Sequence, residues 1–581
     1  MRNKHRSLTY LFCLIGICLW GALIYSNTLH APFVFDDKEF IMENPGVKVS
    51  SPYFGVFILW NRLSYRTRII PFLSFLLNYR LHGGAVLGYH LVNLIIHLMN
   101  GFLVIWLVLL LFRTSRMKID PVTHWRYPIA LLSSIFFLSH PIQTEAVTFI
   151  SQRFELLAAL FYLSTVCFYL KARMSSQLPQ RMTWFLLSFI FFLLGIFSKE
   201  IVATLPFLLI LIEWLFFKSE ENILKIKNER LMLVIFILIS GLFVCLFSYH
   251  FFRFILYQVM NGLTSSTYLL TEFRVIMKYL SLLFLPLSQN LDYDFRLSHS
   301  LGETSVFMSL VCLMSILWMA FRLVKKYPLI SFSIFFFFLV LVVTSSVFPI
   351  PDVIFEHRLY LPSVGFVIFF CSALFYFLKD KRVSILLMIS VILTFSFVTY
   401  QRNWVWADEV LLWRDVVQKS PNKFRGYSNL ARAYREKGEY EKAIESYCHA
   451  LKLVPKDLQT QSKLLVNLGT LLGTAGKYPE ALDYYLEAIK LYPKNIVAYS
   501  NAGYIYTMLG DYKNGVLYGE KAIQLRRRRD ESWNNLGVTY LRMKRYPEAA
   551  AHFEKALKFN LHNQKAKKNL EIVHALQNIQ K

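Results

Sequence analysis

Along the first 400 residues, apolar runs alternate with short polar loops, and beyond that point the pattern changes. Runs of roughly 17 to 25 apolar residues are long enough to cross a hydrocarbon core about 30 Å thick as helices. They fall at 8–29, 89–112, 127–140, 153–171, 183–198, 200–217, 230–252, 303–322, 328–347, 358–378 and 382–400. A shorter run at 271–287 contains Pro286 and is ambiguous. From residue 402 the chain is polar and helix-prone. This predicts two regions, a membrane module over 1–401 and a soluble module over 402–581, with the boundary near "YQRNW" at 400–404.

The second region repeats itself. "YSNLARAYREKGEYEKAIESYCHALKLVP", "LVNLGTLLGTAGKYPEALDYYLEAIKLYP", "YSNAGYIYTMLGDYKNGVLYGEKAIQLRR" and "WNNLGVTYLRMKRYPEAAAHFEKALKFNL" are four tetratricopeptide repeats, near 424–457, 462–495, 496–529 and 530–563. Small residues mark the contact between paired helices: Ala431, Gly469, Gly503 and Gly537 in the first, Ala443, Ala481, Gly515 and Ala549 in the second. Equivalent positions are 34 residues apart from Leu468 to Ala502 and from Ala502 to Leu536, but 38 apart from Leu430 to Leu468, which locates a four-residue insertion at "LQTQS". A half-repeat, "ADEVLLWRDVVQKSP", precedes the array and a capping helix over 563–578 follows it. Stacked repeats present a concave groove suited to an extended peptide, so the module either recruits an acceptor or partner protein or serves as a structural cap. The overall expectation is an all-α chain: a polytopic transmembrane bundle followed by an α-solenoid.

Composition supports lipid contact: 55% of the 581 residues are hydrophobic, too many for a soluble chain of this length. The net charge of +26 is read through the membrane rather than as a nucleic-acid surface. Much of the excess lies in short loops, at the N-terminus, Arg113/Arg116/Lys118, Lys171/Arg173/Arg181, Lys218/Lys225/Lys227/Arg230, Arg322/Lys325/Lys326 and Lys379/Lys381/Arg382. Positive loops stay in the cytoplasm. All can do so only if 271–287 fails to cross, as a re-entrant or interfacial helix broken at Pro286. Eleven crossings follow, with the N-terminus cytoplasmic and the repeats extracytoplasmic, in a bacterial inner membrane or the endoplasmic reticulum. "MRNKHR" and the run after it lack a clear small-x-small cleavage site and read as an uncleaved signal anchor. The seven cysteines form no CxxC pair, so neither a disulfide framework nor a zinc site is indicated.

This topology sends every unusual polar cluster to one face: Asp36 and Asp37, the segment from His140 to Glu145, Lys199 with Glu200, and Glu356, His357 and Arg358. Ionisable groups at span ends are costly unless paired or functional, so their convergence points to a site. Asp36 and Asp37 serve either as catalytic carboxylates or as a helix cap. Lys199 and Glu200 form either a functional pair or a locally neutralised one. His90, Asn93 and His97 share a helix face, where they hold a metal or hydrogen-bond across helices. The absence of an acidic partner on that helix favours the second. "RRRRD" at 526–530 engages phosphates or acidic partners, or is a solvated loop.

Taken in order, "FVFDD", "GYHLVNLIIHLMN", "HPIQTEAVTFISQRFELLA", "SKEIVATLP", "LSQNLDYDF" and "EHRLYLPSVGF", followed by the repeats, resemble the transmembrane and tetratricopeptide repeat-containing O-mannosyltransferases and their prokaryotic relatives. The resemblance covers nearly the whole chain and implies the polytopic GT-C fold, which uses sugars carried on lipid phosphates. It implies that the acidic pair of the first outer loop, here Asp36 and Asp37, belongs to the catalytic site. The chemistry agrees, because glycosyl transfer to a hydroxyl needs a carboxylate to take the acceptor proton. The leaving lipid phosphate needs cations and hydrogen-bond donors, for which Arg358, His357, Lys199 and Arg153 are the candidates. Glu200, Glu356, His140 and Glu145 would support them. Two departures from the family pattern stand out: Gln143 where relatives often carry a second His, and Glu155 where they carry Asp. Mannose therefore does not carry over automatically.

The expected function is inverting transfer of a mannose or similar hexose from a polyprenyl- or dolichyl-phosphate carrier to Ser/Thr hydroxyls of exported proteins, presented by the repeats. The expected partners are that donor, the acceptor protein and membrane lipid, with no nucleic acid. No cofactor is required on this reading; a divalent ion on Asp36 and Asp37 is the alternative. Two competing readings are transfer to a lipid or surface glycan, and a non-catalytic scaffold that assembles complexes through the repeats.

Overall fold

A computed structural model describes residues 14–48, 51–61, 67–217, 234, 237–239, 241, 263–350, 352–455, 457–561 and 563–580. The expected span at 230–252, the basic loop at Lys218, Lys225, Lys227 and Arg230, the start of the first span, Cys13 and Cys245 lie outside these residues or almost wholly so. The described residues are helical, without strands. They form two compact units, 1–412 and 413–581.

In the first unit, five helices have the length and composition of membrane crossings: Val86–Leu111, Ile150–Met174, Leu178–Ile196, Thr304–Leu323 and Lys381–Ala407. Leu14–Ile24, Pro328–Leu341 and Pro362–Phe377 are apolar but shorter. Several expected spans are thus partly helical. The run at 200–217 opens with a 3-10 turn, Glu200–Thr204, before the α-helix Leu205–Phe216. The run at 358–378 likewise opens with the 3-10 turn Glu356–Leu359 before Pro362–Phe377. Prolines in the first turn, Pro206 and Pro362, set where both α-helices begin, since proline lacks the N–H that a continuing helix would need. The ambiguous run belongs to a helix, Ser265–Phe284, that stops just before Pro286, as the restriction on residues preceding proline requires.

Burial sorts these helices. The most apolar window of Ile150–Met174 is 89% enclosed, against 17% for Thr304–Leu323. The first is the axis of the unit, and the second displays Phe307, Met308, Met314 and Trp318 outward as a lipid-facing helix does. Where helices touch, small and hydroxyl residues let backbones approach. Ser134 donates to the Gly101 carbonyl at 2.7 Å. A methyl group at Gly365 would lie 2.6 Å from the Ser333 carbonyl on Pro328–Leu341. A smaller core, with Phe33, Ile41, Val47, Phe72, Phe75, Tyr89 and Phe154, sits beneath the loop that carries the acidic pair. Edge-to-face contacts of Phe40 with Phe72 and Phe154 tie that loop to the helices Ile69–His82 and Arg153–Met174.

In the second unit, four helix pairs follow the repeat register: Phe424–Glu436 with Tyr440–Leu453, Leu458–Thr474 with Tyr478–Leu491, Ile496–Met508 with Tyr512–Leu525, and Asp530–Arg542 with Tyr546–Phe559; Gln564–Gln580 follows. The insertion is absorbed as one extra helical turn, since Leu458–Thr474 has 17 residues where its three counterparts have 13. The small residues meet across the second and third pairs, whereas Gly537 of the fourth faces the Phe553 ring. A Cβ on Gly469 would lie 3.1 Å from the Ala481 carbonyl, and one on Gly503 3.0 Å from the Gly515 carbonyl. Between the two helices of a repeat, the chain turns through a left-handed residue, Gly438, Gly476 and Gly510 in the first three and Lys544 (φ 60°) in the fourth.

Candidate functional site

The acidic pair sits just after a strained residue. Phe35 adopts φ 46°, a left-handed conformation that costs a bulky side chain on the order of 1 kcal/mol. It turns the chain so that Asp36 and Asp37 open the helical turn Lys38–Met42. The two carboxylates then diverge. Asp37 is fully buried; its Oδ2 accepts from the Val34 N–H at 3.1 Å and its Oδ1 from the Ser151 N–H at 2.6 Å. Burial pushes its carboxyl up to about 7, against those two backbone donors. Asp36 is half-buried.

Asp37 is thereby latched to the entry of the central helix, whose first turns carry two further candidates. Arg153 is completely enclosed. Its Nε donates to Asn93 at 2.7 Å, one terminal nitrogen to the Tyr89 carbonyl at 3.0 Å and the other to Ser74, while its carbon plane lies 4.6 Å from the Phe75 ring. All three nitrogens serve the protein, which makes Arg153 a brace between helices. Glu155, two residues on, forms an ion pair with Lys199. Glu200 instead takes a bidentate contact from Arg68, at 2.9 and 3.0 Å. Lys199 and Glu200 therefore each make their contact ion pair with a different element, while the Lys199 charge also acts on Glu200.

The "HPIQTE" and "EHR" segments meet through Glu145. One oxygen is 2.6 Å from His357 Nδ1, and the other accepts the Glu356 N–H at 3.0 Å. Burial pushes the Glu145 carboxyl up to about 8 and the His357 imidazole down. A low-dielectric setting favours the neutral pair, with one proton held between Oε1 and Nδ1. Glu356 is held from the "LSQNLDYDF" segment: Gln289 Nε2 at 2.7 Å, the Asn290 N–H at 2.6 Å and the Tyr293 hydroxyl at 2.6 Å. Burial pushes its carboxyl up to about 7. His140 accepts the Ile142 N–H on Nδ1, so its Nε2 carries the proton it donates to the Leu283 carbonyl at 2.9 Å.

Arg358 donates to the carbonyls of Val353, at 3.0 Å, and Asp352. It is 5% exposed, and its charge acts on Glu272, Tyr268 and Tyr279 of the helix Ser265–Phe284. The charges of Lys199, Glu155, Arg358 and Arg68 all act on His357, and that of Arg402 on both Glu145 and Glu356. The structure thus links Lys199, Glu155, His357, Glu145, Glu356 and Arg358 in one network. Asp37 joins it through Ser151, four residues before Glu155 and roughly 6 Å along the helical axis. Sequence reasoning assigned no role to Arg68, Arg402, Gln289, Tyr293 or Glu272. Gln289 and Tyr293 lay within a recognised motif; the others carry no local signal beyond a charge near an apolar run.

His90, Asn93 and His97 hydrogen-bond across helices. They meet the Ala31 carbonyl, the Val147 and Ile150 carbonyls, and the Tyr360 hydroxyl at 2.8 Å, respectively. Among the described residues, no three His, Cys, Asp or Glu side chains converge as a metal cage. In the "RRRRD" segment, Arg526, Arg527 and Arg528 are exposed, Arg529 is half-buried, and the Asp530 carboxylate accepts from Asn560 and Asn563 at 2.8 Å each.

Comparison with known proteins adds the family context. Tetratricopeptide repeat models match residues 422–494, 484–515 and 531–563. Over most of its length the chain is homologous to curated protein O-mannosyl-transferases. It is 26% identical to F38B6.6 of Caenorhabditis elegans over 477 residues, which cover 78% of this chain and 64% of that protein. It is 23% identical to TMTC3 of Mus musculus over 78% of this chain and 52% of that protein. Against Tmtc3 of Drosophila melanogaster, identity is 30% over 31% of this chain and 21% of that protein. The chain spans less than two thirds of the length of these relatives.

Proposed function

We propose that this membrane-protein homologue of the protein O-mannosyl-transferases is itself a GT-C-type glycosyltransferase, which moves a mannose or similar hexose from a polyprenyl or dolichyl phosphate to Ser/Thr hydroxyls of exported proteins. The observation that carries this reading is the buried network of ionisable groups that ties the acidic loop to the "EHR" turn through the central helix. A scaffold that needed only an anchor would have no use for so many enclosed ionisable groups, each costly to bury.

Asp36, the accessible member of the pair, takes the acceptor hydroxyl proton as the oxygen attacks the sugar's anomeric carbon. Asp37 positions it, since both its oxygens already hold the backbone in place. On the opposite face of the sugar, Arg358 receives the departing phosphate, with the Lys199 charge nearby and His357 as a donor. Arg153 braces the helices beneath. The basic loops of the sequence support an extracytoplasmic location for this face and for the repeats, which recruit the acceptor. Homology to protein O-mannosyl-transferases supports a protein acceptor over a lipid or surface glycan.

Purified protein incubated with radiolabelled polyprenyl-phosphate mannose and an exported acceptor protein tests the reading. Wild type should transfer label to the protein, and Asp36→Asn should abolish transfer at near-normal abundance. Full activity in that variant would refute the assignment. Deleting residues 423–581 should remove transfer to protein; transfer that persists to a lipid acceptor would favour the competing glycan reading.

A further inference from the structure

The carboxylate of Glu272 is completely buried, and neither of its oxygens has a hydrogen bond of good geometry, although the hydroxyls of Ser345 and Tyr268 lie beside it. It lies on the inner face of the helix Ser265–Phe284, between Tyr268 and Tyr279 at i−4 and i+7, and all three side chains are 0% exposed. The segment that follows Pro328–Leu341 runs alongside. Tyr268 donates to the Thr344 carbonyl and Tyr279 to the Phe355 carbonyl, at 3.0 Å for the latter. The hydroxyls of Ser345 and Tyr268 are close enough to act on Glu272, but Tyr268 gives its proton to Thr344, and the Ser345 and Ser346 hydroxyls make no well-formed hydrogen bond. Arg358 is close enough for its charge to act on Glu272, but no ion pair at contact distance joins them.

An acceptor with two unused oxygens is expensive to bury, and more so when charged. Every other buried carboxylate described above has its donors: Asp37 from two N–H groups, Glu145 from His357 and Glu356, and Glu356 from three groups. Glu272 is the exception, and it stands beside the guanidinium to which the proposed function gives the donor phosphate. A ligand that satisfies both must present an anion next to a set of hydroxyl donors. A sugar 1-phosphate has that constitution, because its ring hydroxyls begin one carbon from the phosphorylated centre.

We propose that Glu272, with the Ser345 hydroxyl, forms the subsite that accepts hydroxyl protons of the donor sugar, and so sets which hexose is used. The subsite rests on the functional reading above. It makes Glu272 a specificity-determining residue, separate from the proton-accepting Asp36.

The test compares kcat/KM for polyprenyl-phosphate mannose and its monodeoxy analogues, using the full-length protein in nanodiscs. Hydrogen bonds to a charged group contribute about 1.5–3 kcal/mol, or about 10- to 140-fold. Wild type should therefore discriminate against at least one deoxy donor by more than about tenfold. Glu272→Gln should bring that ratio towards parity while still using the deoxy donor. Ser345→Ala, a smaller change, should lower the same ratio in part. Unchanged ratios in both variants, or an equal loss with every donor, would overturn the inference while leaving the functional reading intact. A wild type that transfers from no polyprenyl-phosphate sugar would overturn both.

Discussion

Glu145 offers the sharpest test of how the site is assembled, because one side chain holds two neighbours on a turn more than 200 residues away. Replacement by alanine leaves the Glu356 N–H and His357 Nδ1 buried without partners. At about 1–3 kcal/mol for each unsatisfied group, the loss sums to about 2–6 kcal/mol before any cavity is counted. Glutamine behaves differently if burial has made the pair neutral. Its amide N–H can donate to Nδ1 as the protonated acid does, and its carbonyl can accept the Glu356 N–H, so the cost should stay within about 1 kcal/mol. Thermal unfolding of purified protein in detergent, read by intrinsic fluorescence, should therefore rank wild type close to Glu145→Gln and well above Glu145→Ala. Transfer activity should follow the same order, because a 1 Å shift of the turn bearing Arg358 costs on the order of 100-fold in rate. If glutamine and alanine fall equally far, the pair is ionic and the argument from burial is wrong. If neither falls, Glu145 does not hold the turn.

Three other expectations follow from the geometry. Lys544→Gly should stabilise the repeat unit by on the order of 1 kcal/mol, since it replaces a side chain at φ 60° with the residue found at the equivalent turns; a lower midpoint in chemical denaturation would count against it. Burial raises Asp37, Glu356 and Glu145 to about 7, 7 and 8, so the folded state holds their protons where the unfolded chain has released them. Their contribution is fully present below pH 4 and is lost as pH rises through 7 to 8, by up to about 1.4 kcal/mol per pH unit for each group. Thermal midpoints should therefore decline from pH 6.5 to 8.5, and a rise over that window would contradict the assignment. Transfer should proceed in excess EDTA, and a loss restored by a divalent ion would put a metal at the acidic pair.

The repeats show how much a local pattern can decide. Helix pairing, the small residues at each crossing and even the site of the insertion follow from a 34-residue register, because each repeat packs mainly against its sequence neighbours. Apolar run length likewise located the five helices long and apolar enough to cross a membrane, since hydrocarbon thickness is a constraint each segment meets alone. It overestimated α-helix at the ends of several spans. There the chain leaves the α-helix for 3-10 turns whose polar groups are satisfied only by other segments, as at Glu356, held by Gln289, Asn290 and Tyr293.

The site divides along the same line. Charge and hydropathy were enough to bring Asp36, Asp37, Glu145, Lys199 and Arg358 under suspicion, because an ionisable group beside lipid is costly wherever it occurs. Which partner each one meets is another matter. Lys199 turns to Glu155 rather than to Glu200, Glu145 to His357 across 212 positions, and Asp37 to the Ser151 N–H across 114. Nothing in Glu272's own neighbourhood marks it; only the packing of Ser265–Phe284 against the segment at 344–358 leaves its oxygens enclosed without a well-formed hydrogen bond. Composition and period determine that such groups are buried somewhere in a helical bundle. The tertiary structure decides whom they face, because pairing of buried charges depends on which helix surfaces pack together, and that is a property of the whole fold.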